Sequence, residues 1–293
     1  MTSKPAQGIS ATSSSGTAKA RPKAALRSGA KARRRKQAMA FQEVGVPLLA
    51  LIVLVAIWQA SVQIFQIPVF LLPSPARIWT DSVADAGTLG WHTLATLKTV
   101  MLGFLVSVAV SLPLAVLITS SKAIANTVYP ILVLTQSIPK VALAPILVIL
   151  LGTNELPRIV VTFLVAFFPL VIAVATGLAS VPNDLIELGR SYRGSRWQML
   201  RRIKLPYAVP MIFSGLKVAV TLSVVGAVVG EFVNADAGLG YFIITSTAFF
   251  ETPLAFAALI ILSIMGIVLF QAVVVIERVF FPWSPANQST LPQ

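Results

Sequence analysis

The 293-residue chain contains no cysteine and a single histidine, His92. Disulfides, thiolate nucleophiles and cysteine- or histidine-rich metal sites are therefore excluded. Charge is scarce as well: 11% of residues are charged, and 10 acidic residues face 23 basic ones. No Gly-x-x-x-x-Gly-Lys-Ser/Thr run occurs, so the chain lacks the loop that cradles ATP phosphates. A Ser-His-Asp set and a carboxylate pair placed for glycoside chemistry are missing too, and the chain is not expected to be an enzyme.

What remains is apolar. Hydrophobic residues make up 56% of the sequence, which places it among membrane proteins. About 20 apolar residues at ~1.5 Å rise span a bilayer core, and six stretches qualify: 44–66, 94–119, 128–151, 159–179, 208–233 and 254–276. The expected fold is an all-α polytopic bundle of six transmembrane helices. Pro113 is expected to break the second span, and Pro139 and Pro145 flank Lys140 in the third. In lipid such breaks persist only where protein or water re-satisfies the freed backbone groups, so these spans are expected to line something.

The location of the charge fixes orientation. Ten of the 23 basic residues fall in the first 36 positions and six more between Arg190 and Lys204. Basic loops stay in the cytoplasm, so both termini and the 180–207 loop are assigned inside. A net charge of +13 otherwise suits a nucleic-acid binder, but its location makes holding the N-terminus in the cytoplasm the expected role; contact of the basic tail with anionic membrane lipid is the lesser reading, and nucleic acid is not an expected partner. Residues 1–40 lack apolar periodicity and read as a disordered basic tail. Residues 41–92 hold the first helix and a Pro-rich outer segment, 93–280 a five-helix core, and 281–293 a cytoplasmic tail.

Two sets of residues stand out against this background. The first is the charged island from Glu187 to Pro206, ELGRSYRGSRWQMLRRIKLP. Asn183 is placed to cap a short helix whose Leu185, Leu188 and Tyr192 share one apolar face. Gly194 and Ser195 allow a turn, and a second short helix carries Trp197, Leu200 and Ile203 on one side. Pro206 is expected to stop or bend it. Two short helices around a turn form a knob suited to transmitting force. The second set lies inside the membrane: Gln136, Ser137, Pro139 and Lys140 form a polar patch, with Glu231 as an acidic counterpart on the fifth span. Intramembrane charge is costly and usually faces a cavity or a partner. Lys98 and Lys217 are expected to snorkel to opposite membrane faces. Small residues Gly215, Ala219, Gly226, Ala227 and Gly230 favour close packing of the fifth span.

The island resembles the coupling loop of ABC-importer permeases, in which Glu-Ala-Ala is followed by three residues, Gly, nine residues and Ile-x-Leu-Pro. Glu187, Leu188, Gly189, Ile203, Leu205 and Pro206 fall at that spacing. The family's glycine falls on Arg193, and Gly194 is expected to supply the flexible turn instead. The resemblance extends over roughly residues 44–280, through Leu72-Pro73-Ser74-Pro75, Gln136-Ser137-Ile138-Pro139, Val229-Gly230-Glu231-Phe232 and Gly238-Leu239-Gly240-Tyr241. It is strongest to the branch serving nitrate, sulfonates, taurine and thiamine or pyrimidine precursors.

That resemblance implies a type I ABC-importer permease fold in a bacterial inner membrane. It implies a second copy of the chain, cytoplasmic ATPase subunits that hold ATP and magnesium, and an extracytoplasmic substrate-binding protein. This chain itself is expected to bind no cofactor. The expected substrate is a small organic or inorganic anion, or a thiamine or pyrimidine precursor. On the residues alone, an ion-coupled carrier using Lys140 and Glu231 is the alternative, though no repeat relates the two halves.

Overall fold

The computed structural model describes residues 45–282, and the tails at 1–44 and 283–293 lie outside the described residues. The chain divides into two units, Met1–Ala60 and Ser61–Gln293. Helix α1, Val46–Ile64, crosses that division and is exposed along most of its length. Its run of aliphatic side chains is the composition of a lipid-facing anchor.

The second unit is built of helices, with no β-strand among the described residues. A Pro-rich segment leads to the short helix α2, Pro75–Ala84, capped by the Ser74 hydroxyl, which accepts from the Arg77 backbone N–H. Helix α3, Ala86–Ser120, comes next. Helix α4, Lys122–Gln136, ends at a break from which a 3-10 turn, Lys140–Leu143, and helix α5, Ala144–Leu151, continue. Helix α6 is Leu156–Ala179, and a cytoplasmic segment holds α7, Asn183–Ser191, and α8, Arg196–Met199. A π-turn at Leu200–Lys204 joins α8 to α9, Leu205–Val233. Helices α10, Leu239–Ala248, and α11, Thr252–Phe280, complete the order.

Five of the described helices are long and apolar enough to cross a membrane, and counting the bent pair Ala123–Gln136 and Lys140–Leu151 as one broken span brings the number to six. Six spans therefore agree with the sequence count, but two of their details differ. The second does not break at Pro113, because α3 runs straight through it. A single proline removes one hydrogen bond, which neighbouring turns absorb inside a packed bundle. The third bends by 81° instead. Pro139 lies at that bend, with a ψ of 89° that ends the α-helical path.

The core forms where α3, α4, α6 and α9 meet. Ala115 and Ile118, Leu132, then Leu170, Val174 and Leu178, and Ala208 and Ala219 bury almost completely against one another. Small residues bring α6 and α9 into near backbone contact. A Cβ placed on Gly226 would lie 2.8 Å from the Thr162 Cα, and one on Gly230 would lie 2.9 Å from the Arg158 Cα. Such approach replaces the hydrophobic drive that lipid does not supply. The hydroxyls of Ser107 and Ser111 donate across to the carbonyls of Phe163 and Phe167, tying α3 to α6.

The last span is fastened differently. Val209, Phe213 and Val220 of α9 pack with Val273 of α11. Beside them the Lys217 ammonium meets the Glu277 carboxylate at 2.5 Å, the two side chains 19% and 2% exposed. Lys217 is therefore held by a carboxylate in the last turn of the neighbouring helix. Lys98 likewise pairs with Glu155 at 2.8 Å across the outer surface.

Candidate functional site

The cytoplasmic knob is made of α7, a tight turn and α8. Helix α7 begins at Asn183 itself, after the extended Pro182, so Asn183 does not cap it with its side chain. The turn is a Schellman closure: Gly194 N–H donates to the Gly189 carbonyl at 3.0 Å and Arg193 N–H to the Arg190 carbonyl at 2.8 Å. The left-handed residue of this closure is Arg193, with φ of 51°, rather than Gly194. Arg193 occupies the position that takes glycine in the resembled motif, so the left-handed backbone of the turn is kept and a side chain now bears its strain. Gly194 matters for space instead, since a Cβ there would sit 2.9 Å from the Gly189 carbonyl oxygen.

Helix α8 starts with a capping box. The Ser195 hydroxyl accepts from the Gln198 N–H at 3.2 Å, and the Gln198 side chain accepts from the Ser195 N–H at 2.8 Å. Pro206 does not stop the helical path: from Arg196 to Val233 the chain is one continuous rod of 38 residues. The π-turn just before Pro206 adds the extra residue per turn that lets the helix pass the proline.

The motif residues converge at one place. Gly189 leaves room for Ile203, whose Cδ1 would lie 2.8 Å from a Cβ at that position, and Met199 fills the rest. Leu205 and Pro206 open the first turn of α9. The outer face of α7 is left bare: Leu185, Leu188 and Tyr192 are 38%, 54% and 82% exposed. On a 3.6-residue repeat, Asn183, Ile186, Glu187 and Arg190 lie on the opposite side, where they line a cavity of about 670 Å³ with the end of α3. Thus Glu187 stands behind the apolar ridge and not on it.

The bend in the third span presents the other predicted group. Gln136, Ser137 and Pro139 are exposed, and Lys140 is half-buried. The Lys140 ammonium donates to the Gln136 carbonyl at 3.1 Å and lies 4.9 Å from the centre of the Phe168 ring. No carboxylate among the described residues lies within ion-pair distance of it.

Glu231 is engaged elsewhere. Its Oε2 accepts the Gly240 N–H at 2.7 Å and the Thr96 hydroxyl at 3.0 Å. Thr96 accepts the Leu239 N–H at 2.7 Å, and His92 Nδ1 accepts the Gly238 N–H at 3.0 Å. Three successive N–H groups at the start of α10 are therefore received by side chains from α3 and α9. Arg158 completes the cluster by donating to the Ala237 carbonyl at 3.1 Å. Gly238, with φ of 125°, and Gly240 sit so close to the Glu231 carboxyl that neither position has space for a side chain. Lys140 and Glu231 are thus not brought together. Sequence reading missed His92, Thr96 and Arg158 as partners of this turn, because 146 residues separate His92 from Gly238 and no local pattern links them.

The described residues thus form a helical bundle with a polar break in one span and a two-helix knob between two others. Residues 107–282 match the family described as "Binding-protein-dependent transport system inner membrane component", and the chain belongs to that family. It is 34% identical over 244 residues to the riboflavin transport system permease protein RibX of Chloroflexus aurantiacus, covering 82% of this chain and 90% of that protein. It is 35% identical over 238 residues to the formylaminopyrimidine transport permease protein ThiX of Halalkalibacterium halodurans, covering 81% and 95%. Among solved structures, an inward-facing MetNI methionine ABC transporter chain superposes with a TM-score of 0.54 at 23% identity, over 64% of this chain and 92% of that one. The chain is a multi-pass inner-membrane permease subunit of an ABC importer, with the type I fold.

Proposed function

We propose that this permease carries a flat nitrogen heterocycle of the riboflavin or formylaminopyrimidine kind. The observation that carries the reading is the level of identity to RibX and ThiX, sustained over four-fifths of the chain. Two copies of the chain would enclose the pathway, meeting where the bend at Gln136–Lys140 leaves an exposed polar and apolar surface. ATPase subunits would bind the ridge of Leu185, Leu188 and Tyr192, which has the exposed apolar character of a docking face. Closing of the ATPase pair on ATP would move the knob, and the continuous helix from Arg196 to Val233 would carry that motion across the membrane. A binding protein would deliver the solute outside, and this chain would hold no cofactor.

A second reading, a small organic or inorganic anion such as a sulfonate, taurine or nitrate, is favoured by one observation: Lys140 has no carboxylate partner among the described residues. The two are separated by ATP-driven uptake into liposomes containing the permease, its ATPase and its binding protein. Accumulation of riboflavin or formylaminopyrimidine supports the heterocycle. Accumulation of taurine or nitrate alone assigns the second reading.

A further inference from the structure

The cavity behind the knob is not used by the coupling ridge. It is bounded by Thr119 and Ser120 at the cytoplasmic end of α3, by the inner face of α7, and by Arg196, Trp197 and Lys204. Arg190, Arg196 and Lys204 thus bring three cations to it against the single carboxylate of Glu187. None of the three cations lies within ion-pair distance of a carboxylate among the described residues. Val116, Ile186 and Leu200 add an apolar floor. Trp197 is 66% exposed and adds an indole to the cavity rim.

We propose that this cavity binds the headgroup of an anionic phospholipid from the cytoplasmic leaflet. Three features favour a lipid. The cavity lies where a transmembrane helix ends, the level of a bilayer's headgroups, and Val116 and Leu200 give it apolar wall. Its excess of cations matches a phosphodiester, and basic pockets between helices on this face hold such headgroups. The chain's own tail segments are unsuitable occupants, since residues 1–44 carry only one acid, Glu43, against ten bases, and residues 283–293 carry none. The lipid would brace α7 against α3 from behind while the ridge on its other face stays free.

The test is native mass spectrometry of the detergent-purified full chain titrated with phosphatidylglycerol or phosphatidylcholine. The expected result is retention of phosphatidylglycerol at least tenfold above phosphatidylcholine. The Arg190→Gln/Lys204→Gln variant should lose that selectivity, and Arg196→Gln alone, at the exposed first position of α8, should reduce it several-fold. Removal of residues 1–40 should leave it in place. Unchanged selectivity in Arg196→Gln, or its loss with the tail alone, overturns the proposal. Displacement of the lipid by millimolar inorganic phosphate would reassign the cavity to a soluble anion. Displacement on adding the ATPase subunit would reassign it to that protein.

Discussion

The carboxylate of Glu231, at the outer end of α9, accepts the backbone N–H of Gly240 at 2.7 Å and so fastens the start of α10. A buried carboxylate at a helix N-terminus satisfies an otherwise orphaned donor and opposes the positive end of the helix dipole. Glu231→Gln keeps one acceptor oxygen and should lower thermal stability only slightly. Glu231→Leu leaves the Gly240 N–H and the Thr96 hydroxyl without their acceptor and should cost about 1–3 kcal/mol. Thermal melts of the purified chain in detergent check the order, and equal melting of the two variants would remove the clamp.

The pair of Lys217 and Glu277 makes a second, separate claim. Both charges are withdrawn from water, so replacing Lys217 takes away the cation that faces the buried Glu277 carboxylate. Lys217→Met should destabilise by about 3–5 kcal/mol, and Lys217→Met/Glu277→Leu should recover most of that loss. A double-mutant cycle read by melting temperature gives the answer.

Arg193 predicts a gain instead of a loss. Its left-handed backbone, φ 51°, costs a side-chain-bearing residue about 1 kcal/mol that glycine avoids. Arg193→Gly should raise the melting temperature, whereas Gly194→Val should lower it because its side chain would meet the Gly189 carbonyl. The opposite ranking would show that the turn is held in some other way.

These three predictions also mark what the sequence made legible. Six spans could be counted because hydrophobic length is a local property, and the small residues of α9 pointed to a close neighbour for the same reason. The motif from Glu187 to Pro206 was visible through its spacing. The bearer of the turn was not, because Gly194 is the residue that tolerates φ above zero while the hydrogen bonds place that conformation one residue earlier. The bonds from Gly240 to Glu231, from Gly238 to His92 and from Lys217 to Glu277 depend on helix packing, which no pattern within one segment encodes. Pro113 and Pro206 looked like breaks because proline propensity is a local prior, and bundle packing with a π-turn overrode it.

The most direct measurement is purification of the tagged chain from membranes, followed by ATP hydrolysis and uptake in liposomes, with Leu188→Lys, a charge placed on the exposed ridge of α7, alongside the unmodified chain. A stoichiometric ATPase subunit should accompany the unmodified chain, with hydrolysis stimulated by a binding protein. Leu188→Lys should insert into the membrane normally yet lose at least tenfold in uptake. Purification of the chain alone, with solute moving on an ion gradient without ATP, would contradict the account.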